Sequence, residues 1–90
     1  MTEIAHSPER RRFVTEVDGY EAYVEYEVEG GAMIITHTIV PAPIGGRGIA
    51  AALVRTAVEH ARQEGLKVVP ACSYAAAWFA RHPEYADLEA

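Results

Sequence analysis

A chain of 90 residues with a formal net charge of −5 is long enough for one domain with a thin hydrophobic core. The negative charge argues against nucleic acid as a partner, and no apolar run approaches the roughly 18 residues of a membrane span. The lone cysteine, Cys72, excludes an internal disulfide framework and indicates a reducing, cytoplasmic location.

The first half of the chain predicts three antiparallel strands. Residues 1–12 are expected to form a flexible tail, followed by a single domain over residues 13–90. RFVTEV predicts a short strand, and Asp18-Gly19 predicts a tight hairpin turn, because both central positions of such a turn require positive φ. YEAYVEYEVE alternates apolar and largely acidic residues, which indicates a half-exposed strand. Gly30-Gly31 predicts a second turn before AMIITHTIV, whose nearly continuous apolar pattern is typical of a central strand.

The second half predicts a helix, a strand and another helix. Apolar residues recur at helical spacing from position 49, and Gly65 is typical of a helix C-terminus. LKVV predicts a short strand that Pro70 terminates, and Ser73 is expected to cap a last helix over YAAAWFAR. The order β-β-β-α-β-α predicts an α/β (α+β) fold with a mixed sheet of about four strands and two helices. The first helix is expected to bury Ile49, Leu53, Val54, Ala57, Val58 and Ala61.

Charge is distributed unevenly along the sequence. Acidic residues dominate positions 16–29, and basic residues are in slight excess over positions 47–67. The basic half would suit a phosphate ligand, and Glu25 and Glu27 could hold a cationic substrate. Both sets of residues could equally be solvated surface charges.

The stretch PAPIGGRGIA places Gly45, Gly46 and Gly48 directly before the first predicted helix. At a helix N-terminus, exposed N–H groups and the helix dipole attract anions, and glycine lets a phosphate approach the backbone closely. The same glycines would also suit a flexible turn. The stretch matches neither G-x-x-x-x-G-K-[ST] nor G-x-G-x-x-G, which argues against those two kinds of nucleotide site.

The longer stretch HTIVPAPIGGRGIAAALV resembles the acetyl-coenzyme A motif of the GNAT superfamily of N-acetyltransferases, Q/R-x-x-G-x-G/A. Gly48 and Ala50 match its last two defined positions, whereas Gly45 stands where the family has Gln or Arg. The ending VVPACSYAAAWFARHPEY is similar to short single-domain members of the superfamily, the YjdJ-like subgroup. Together the two stretches extend the resemblance from about Phe13 to Leu88.

The resemblance implies a minimal GNAT-like fold with a site for acetyl-CoA. Backbone N–H groups of residues 45–50 would cradle the diphosphate, and Arg47 would partly replace the missing Gln or Arg. Ile39 and Val40 would pair with the pantetheine amides at a gap between two strands, and an N–H group near Val40 would stabilise the oxyanion. The expected cofactor-binding residues are Ile39, Val40, Gly45, Gly46, Arg47, Gly48, Ile49, Ala50 and Ser73.

Cys72, Tyr74 and His37 are the candidate catalytic side chains. Cys72 could lie beside the CoA sulfur, carry the acetyl group as a nucleophile, or be a buried structural residue. Tyr74 could protonate the CoA thiolate or pack at a helix start, and His37 could be the base for the amine or a hydrogen-bonded strand residue. No metal site is expected, because the four histidines are scattered along the chain.

These residues predict a cytoplasmic N-acetyltransferase in which an amine attacks the acetyl-CoA thioester directly. The alternative is a CoA-binding or protein-interaction module that retains the pocket without turnover, because Gly45 departs from the motif. The acceptor, a small molecule or a protein amine, and the oligomeric state are left open. Neither nucleic acid nor a membrane is expected as a partner.

Overall fold

Residues 3–90 are described by a computed structural model. The strands are β1 (Ala5–Ser7), β2 (Arg12–Val17), β3 (Tyr20–Glu29), β4 (Ala32–Ile39) and β5 (Lys67–Pro70). The helices are α1 (Ile49–Gln63) and α2 (Ser73–Arg81), with 3₁₀ segments at Ala42–Ile44 and Pro83–Leu88. The strands form one five-stranded sheet in the order β1-β2-β3-β4-β5. Neighbours are antiparallel except for β4 and β5, which are parallel, so the sheet is mixed as predicted.

Both hairpin turns have the geometry that their sequences predict. In the first turn φ is +53° at Asp18 and +79° at Gly19, and in the second it is +59° at Gly30 and +79° at Gly31. Positive φ at both central residues matches the right-handed twist of the flanking strands. Each turn therefore fixes the register of its hairpin.

The apolar stripe of α1 is buried against the sheet as predicted. α1 contacts β2, β3, β4 and β5, and so it covers one face. Val24, Met33 and Val68 are fully buried in the same hydrophobic core. Each side chain of this size contributes roughly 1.5–3 kcal/mol when it is fully buried, so this layer stabilises the crossover from β4 to β5. The buried residues of α1 are Ile49, Leu53, Val54, Ala57, Val58 and Ala61.

The C-terminal elements pack around β5. α2 contacts β4, β5 and α1, and the following 3₁₀ segment buries Tyr85. The Tyr85 hydroxyl donates to the Glu59 carboxylate of α1. The Ala90 N–H donates to Val68 O at 2.8 Å, and Glu89 forms an isolated bridge with the same residue. Within residues 3–90, no helix combines the length and apolar composition that crossing a membrane requires.

Strand pairing begins earlier than the sequence predicts. A flexible tail is expected over residues 1–12, yet Ala5–Ser7 pair with β2 and add a fifth strand. Thr15 Oγ1 donates to Glu3 O at 2.6 Å and holds the segment in place. A three-residue strand is too short to show alternation, and its contacts are distant in sequence, so no local pattern predicts it. Residues 1 and 2 lie outside the described part of the chain.

His6 is the side chain that ties β1 to the rest of the protein. Its ring stacks on Phe13 with centroids 4.2 Å apart and meets the His60 ring of α1 at 4.6 Å. Its Nε2 lies 2.5 Å from the Tyr26 hydroxyl. Burial and, to a lesser extent, the charge of His60 lower the pKa of His6, and nearby carboxylates partly oppose this shift. Those carboxylates are Glu9 and Glu64.

Docking of β1 should weaken as the pH falls. Because the folded-state pKa of His6 lies below its ordinary value of 6.5, the docked strand favours neutral His6. That stabilisation is complete above the ordinary value and is lost as the pH falls through the lower folded-state pKa. Amide exchange of β1, corrected for intrinsic rates, should show weaker protection at about pH 5 than at about pH 7.5. The difference should shrink in His60→Gln, and equal protection at both pH values would contradict this account.

Opposite charges that are separated along the sequence meet in the fold. Arg11 lies 2.6 Å from a Glu27 carboxylate oxygen, and Arg12 lies 3.1 Å from one of Glu25. The acidic face of β3 is therefore partly neutralised by arginines at the start of β2.

Candidate functional site

β4 and β5 separate at one end of the sheet. Their parallel pairing ends at Ile35↔Pro70. Ile35 O accepts hydrogen bonds from the N–H groups of both Ala71 and Cys72, at 3.0 and 3.1 Å. The Ala71 N–H also lies 3.0 Å from Val69 O, so the chain turns sharply around Pro70 and leaves the sheet. Within residues 3–90, the edge of β4 that faces β5 consequently has no strand partner beyond Ile35.

A β-bulge at Thr36 sets the direction of the side chains that follow. The pairing of β3 with β4 shifts register before Glu25↔His37 and leaves Thr36 without a partner on β3. Thr36 Oγ1 donates to Glu25 O at 3.2 Å and stabilises the bulge. Because an extra residue exchanges the two faces of a strand, His37 shares a face with Glu25, and Thr38 faces the helices.

The glycine loop, residues 45–48, presents backbone donors at the start of α1. φ is +76° at Gly46 and +79° at Gly48, and the first helical hydrogen bond runs from Ala52 N–H to Gly48 O at 3.1 Å. No side chain caps α1, and the N–H groups of residues 46–51 have no acceptor within residues 3–90. A Cβ built on Gly46 or Gly48 would meet no atom within 4 Å. The open space and the helix dipole together suit an anion.

Gly45 differs from the other two glycines of the loop. Its φ of −68° and ψ of 159° are open to any residue. Its N–H donates to Ala42 O at 3.0 Å and closes the 3₁₀ segment. That N–H group is therefore not free to bind a ligand, in contrast to the prediction that the cradle begins at Gly45.

Arg47 provides the one side chain of the glycine loop. Its Nη1 lies 2.7 Å from Asp18 Oδ2 in the β2–β3 turn, and its Nη2 lies 3.4 Å from Pro43 O. In the protein without ligand, the guanidinium therefore joins the loop to the hairpin.

Cys72 lies between the end of β4 and the start of α2. Its Sγ is 3.5 Å from Thr38 Oγ1 and accepts the Ala75 N–H at 3.4 Å. Cys72 is thus the N-cap of α2, and the prediction that Ser73 caps this helix is wrong, because Ser73 is already its first residue. The two contacts fix a half-buried thiol at the gap.

Tyr74 lies in the first turn of α2 and packs partly against the core. Its hydroxyl makes no hydrogen bond within the described residues. The phenol can therefore donate a hydrogen bond to a ligand that reaches it without breaking an existing contact.

His37 lies on the sheet face that α1 does not cover. Its Nδ1 is 3.2 Å from Glu25 Oε1, and Arg12 Nε is 3.1 Å from the other oxygen of the same carboxylate. The His37 side chain is 63% exposed. Glu25 therefore orients the ring and leaves Nε2 toward solvent, where it can exchange a proton with a ligand.

The predicted site residues approach the gap from different directions. Cys72 lies at one side and His37 projects from the opposite face of β4. Ile39, 42% exposed, ends β4, and residues 40–44 lead from it to the glycine loop. Ile49 contributes only its backbone, because its side chain is buried in the core. Sequence reasoning does not identify Thr38 as a residue of the site, because its contact with Cys72 joins residues 34 positions apart.

Two comparisons with known proteins identify the family of this chain. The model of the GCN5-related N-acetyl-transferases matches residues 12–88. The chain belongs to this family. It is also similar to the NMR solution structure of a GCN5-like protein from Staphylococcus aureus that carries an N-acetyltransferase assignment. The two are 30% identical with a TM-score of 0.78, over 98% of this chain and 87% of that one.

The family match confirms the superfamily that the sequence predicts, and the structural similarity confirms the predicted fold class. The finer YjdJ-like subgroup and the roles of single residues stay predictions. Among residues 3–90, no three His, Cys, Asp or Glu side chains are grouped to hold a metal ion.

Gly45 and Gly48 should differ in their tolerance of a side chain. Gly48→Ala should lower the free energy of unfolding by about 1–2 kcal/mol, because an L-residue is strained at positive φ. Gly45→Ala should change it by less than about 0.5 kcal/mol. Its new Cβ would lie 3.3 Å from Ala42 O and would need only a small shift. Urea denaturation measures both variants, and equal losses would contradict the loop conformation.

Proposed function

We propose that this protein transfers an acetyl group from acetyl-CoA to a primary amine in the cytoplasm. The observation that carries the proposal is a pair of backbone surfaces without partners within residues 3–90, the edge of β4 after Ile35 and the start of α1. Family membership supports N-acetyl transfer in general, and the two surfaces fit the pantetheine and the diphosphate of CoA. The amine would attack the thioester directly, without an acetylated protein intermediate.

The diphosphate would bind the N–H groups of residues 46–51. These donors lack partners within the described residues, and open space lies above Gly46 and Gly48. Hydrogen bonds to a charged group contribute about 1.5–3 kcal/mol each, so even a few of them would anchor CoA.

The pantetheine arm would extend the sheet as a short added strand. From Thr36 to Ile39, β4 has no partner on its β5 side in the described part of the chain, so its backbone groups can pair with the pantetheine amides. An arm in this position would bring the thioester to the gap beside Thr38 and Cys72.

His37 and Tyr74 would move the protons of the reaction. As the amine nitrogen bonds to the thioester carbonyl carbon, His37 Nε2 would accept an amine proton, and Glu25 would stabilise the resulting imidazolium. An N–H group near Val40 would stabilise the oxyanion. When the carbon–sulfur bond breaks, the Tyr74 hydroxyl would donate its proton to the departing thiolate. Solvent would then return the proton from His37 to Tyr74.

Calorimetry with acetyl-CoA and with CoA tests the proposal, followed by thiol release in the presence of mixed amines. Binding together with amine-dependent thiol release is the expected result. Binding without release would favour the non-catalytic CoA-binding module, to which the absent Gln or Arg side chain at Gly45 also points. Failure to bind either compound would contradict both functions.

Ala50→Glu should weaken CoA binding at least tenfold without destabilising the fold. A carboxylate in the first turn of α1 interacts favourably with the helix dipole, by about 0.3–1 kcal/mol, but it competes with phosphate for the same N–H groups. Ala86→Glu is the matched control, because Ala86 is exposed in the C-terminal 3₁₀ segment. Calorimetry and thermal melts of both variants separate binding from stability. Equal loss of affinity in both would show that net charge, and not the cradle, is responsible.

Cys72 is expected to shape the thioester pocket without carrying the acetyl group. Intact-protein mass spectrometry after incubation with acetyl-CoA alone should show no hydroxylamine-sensitive adduct. Cys72→Ala should lower the rate only a few fold and cost about 0.5–2 kcal/mol of stability through the lost N-cap. A stoichiometric thioester adduct that passes to amine at the turnover rate would establish Cys72 as a nucleophile.

A further inference from the structure

The ion pair between Arg47 and Asp18 joins the glycine loop to the hairpin turn between β2 and β3. Asp18 lies outside the stretch of sequence that resembles the family motif. Arg47 lies between Gly46 and Gly48, and Asp18 lies at the tip of the β2–β3 hairpin. The register Tyr23↔Ile39 brings the start of β3 to the end of β4, so this tip flanks the glycine loop. The pair is 2.7 Å long between partly exposed side chains.

The glycine loop has few other constraints. Residues 45, 46 and 48 have no side chain, and glycine loses more backbone freedom on ordering than any other residue. The flanking Ile44 and Ile49 are buried and fix the two ends of the loop. Between these ends, and within residues 3–90, the side-chain hydrogen bonds of the loop are those that Arg47 donates to Asp18 and to the carbonyl oxygen of Pro43.

We propose that Asp18 is a positioning residue for CoA, which holds the glycine loop through Arg47 so that the N–H groups of residues 46–51 converge before the ligand arrives. This inference rests on the proposed function. Asp18 does not touch CoA in this account, and it acts by reducing the ordering that binding would otherwise require.

The opposite role is also conceivable, in which Asp18 withholds Arg47 from the phosphates. The geometry favours positioning, because Arg47 joins the loop to the hairpin while its side chain stays about half exposed. At such an exposed site salt screens the attraction between a freed guanidinium and a phosphate, which limits the effect on affinity to about fivefold at most. Fixing the backbone of one residue changes an equilibrium constant about fivefold to 30-fold. An exposed ion pair contributes at most about fivefold to the equilibrium constant for ordering the loop. We therefore expect loss of the pair to weaken CoA binding threefold to fivefold.

Asp18→Asn tests the proposal, because Asn also tolerates positive φ and so preserves the turn. CoA should bind threefold to fivefold more weakly to Asp18→Asn than to the parent, as measured by calorimetry. In the protein without ligand, the heteronuclear NOE of the Gly46, Arg47 and Gly48 amides should fall. Glu16→Gln removes a carboxylate from the same hairpin that has no ion pair within the described residues, and it should change neither quantity.

Arg47→Gln completes a double-mutant cycle. If Asp18 acts through Arg47, Asp18→Asn should have no further effect on CoA affinity or on the NOE in the Arg47→Gln background. Tighter binding by Asp18→Asn would overturn the proposal and show that Asp18 competes for Arg47. An unchanged NOE would also overturn it. If the parent fails to bind CoA, the proposed function fails, and the NOE comparison still decides whether Asp18 orders the loop.

Discussion

The carbonyl oxygen of Ile35 is the contact on which the rest of the candidate site depends. It accepts the N–H groups of Ala71 and Cys72 directly after Pro70, which has no N–H with which to continue the ladder. The same contact ends the pairing of β4 with β5, leaves the edge of β4 unpaired and places Cys72 at the start of α2. A backbone carbonyl that takes two donors thus determines the position of the gap and of one wall beside it.

The bulge at Thr36 adds a second constraint, which sets the face of the sheet toward which each following side chain of β4 points. A regular strand would turn His37 toward α1 and Thr38 toward the uncovered face, since side chains alternate with a period of two. One extra residue reverses this assignment. His37 therefore lies on one face of β4 beside Glu25, while Thr38 and the Cys72 thiol lie on the other.

The sequence correctly predicts those elements that depend on patterns among residues close together in the chain. The hairpin turns depend on adjacent residues such as Asp18 and Gly19, and α1 depends on a periodic stripe. The bulge in AMIITHTIV has no such signal, because a nearly continuous apolar strand shows no alternation that an extra residue could interrupt. β1 and the pairing of Thr38 with Cys72 join residues far apart in sequence, and only the folded chain brings them together. The position of the glycine loop was predictable, but the use of the Gly45 N–H within the 3₁₀ segment was not.

The outer strands of the sheet are its shortest, and this has a consequence for the behaviour of the protein in concentrated solution. β3 spans ten residues in the interior of the sheet, whereas β1 spans only three at one edge. At the other edge, the C-terminal residues Glu89 and Ala90 occupy backbone groups of Val68. Exposed strand edges are templates on which a second chain can pair and aggregate. With one outer strand this short and the other partly occupied, the sheet offers little length for intermolecular pairing apart from residues 36–39 of β4, the segment proposed to pair with pantetheine.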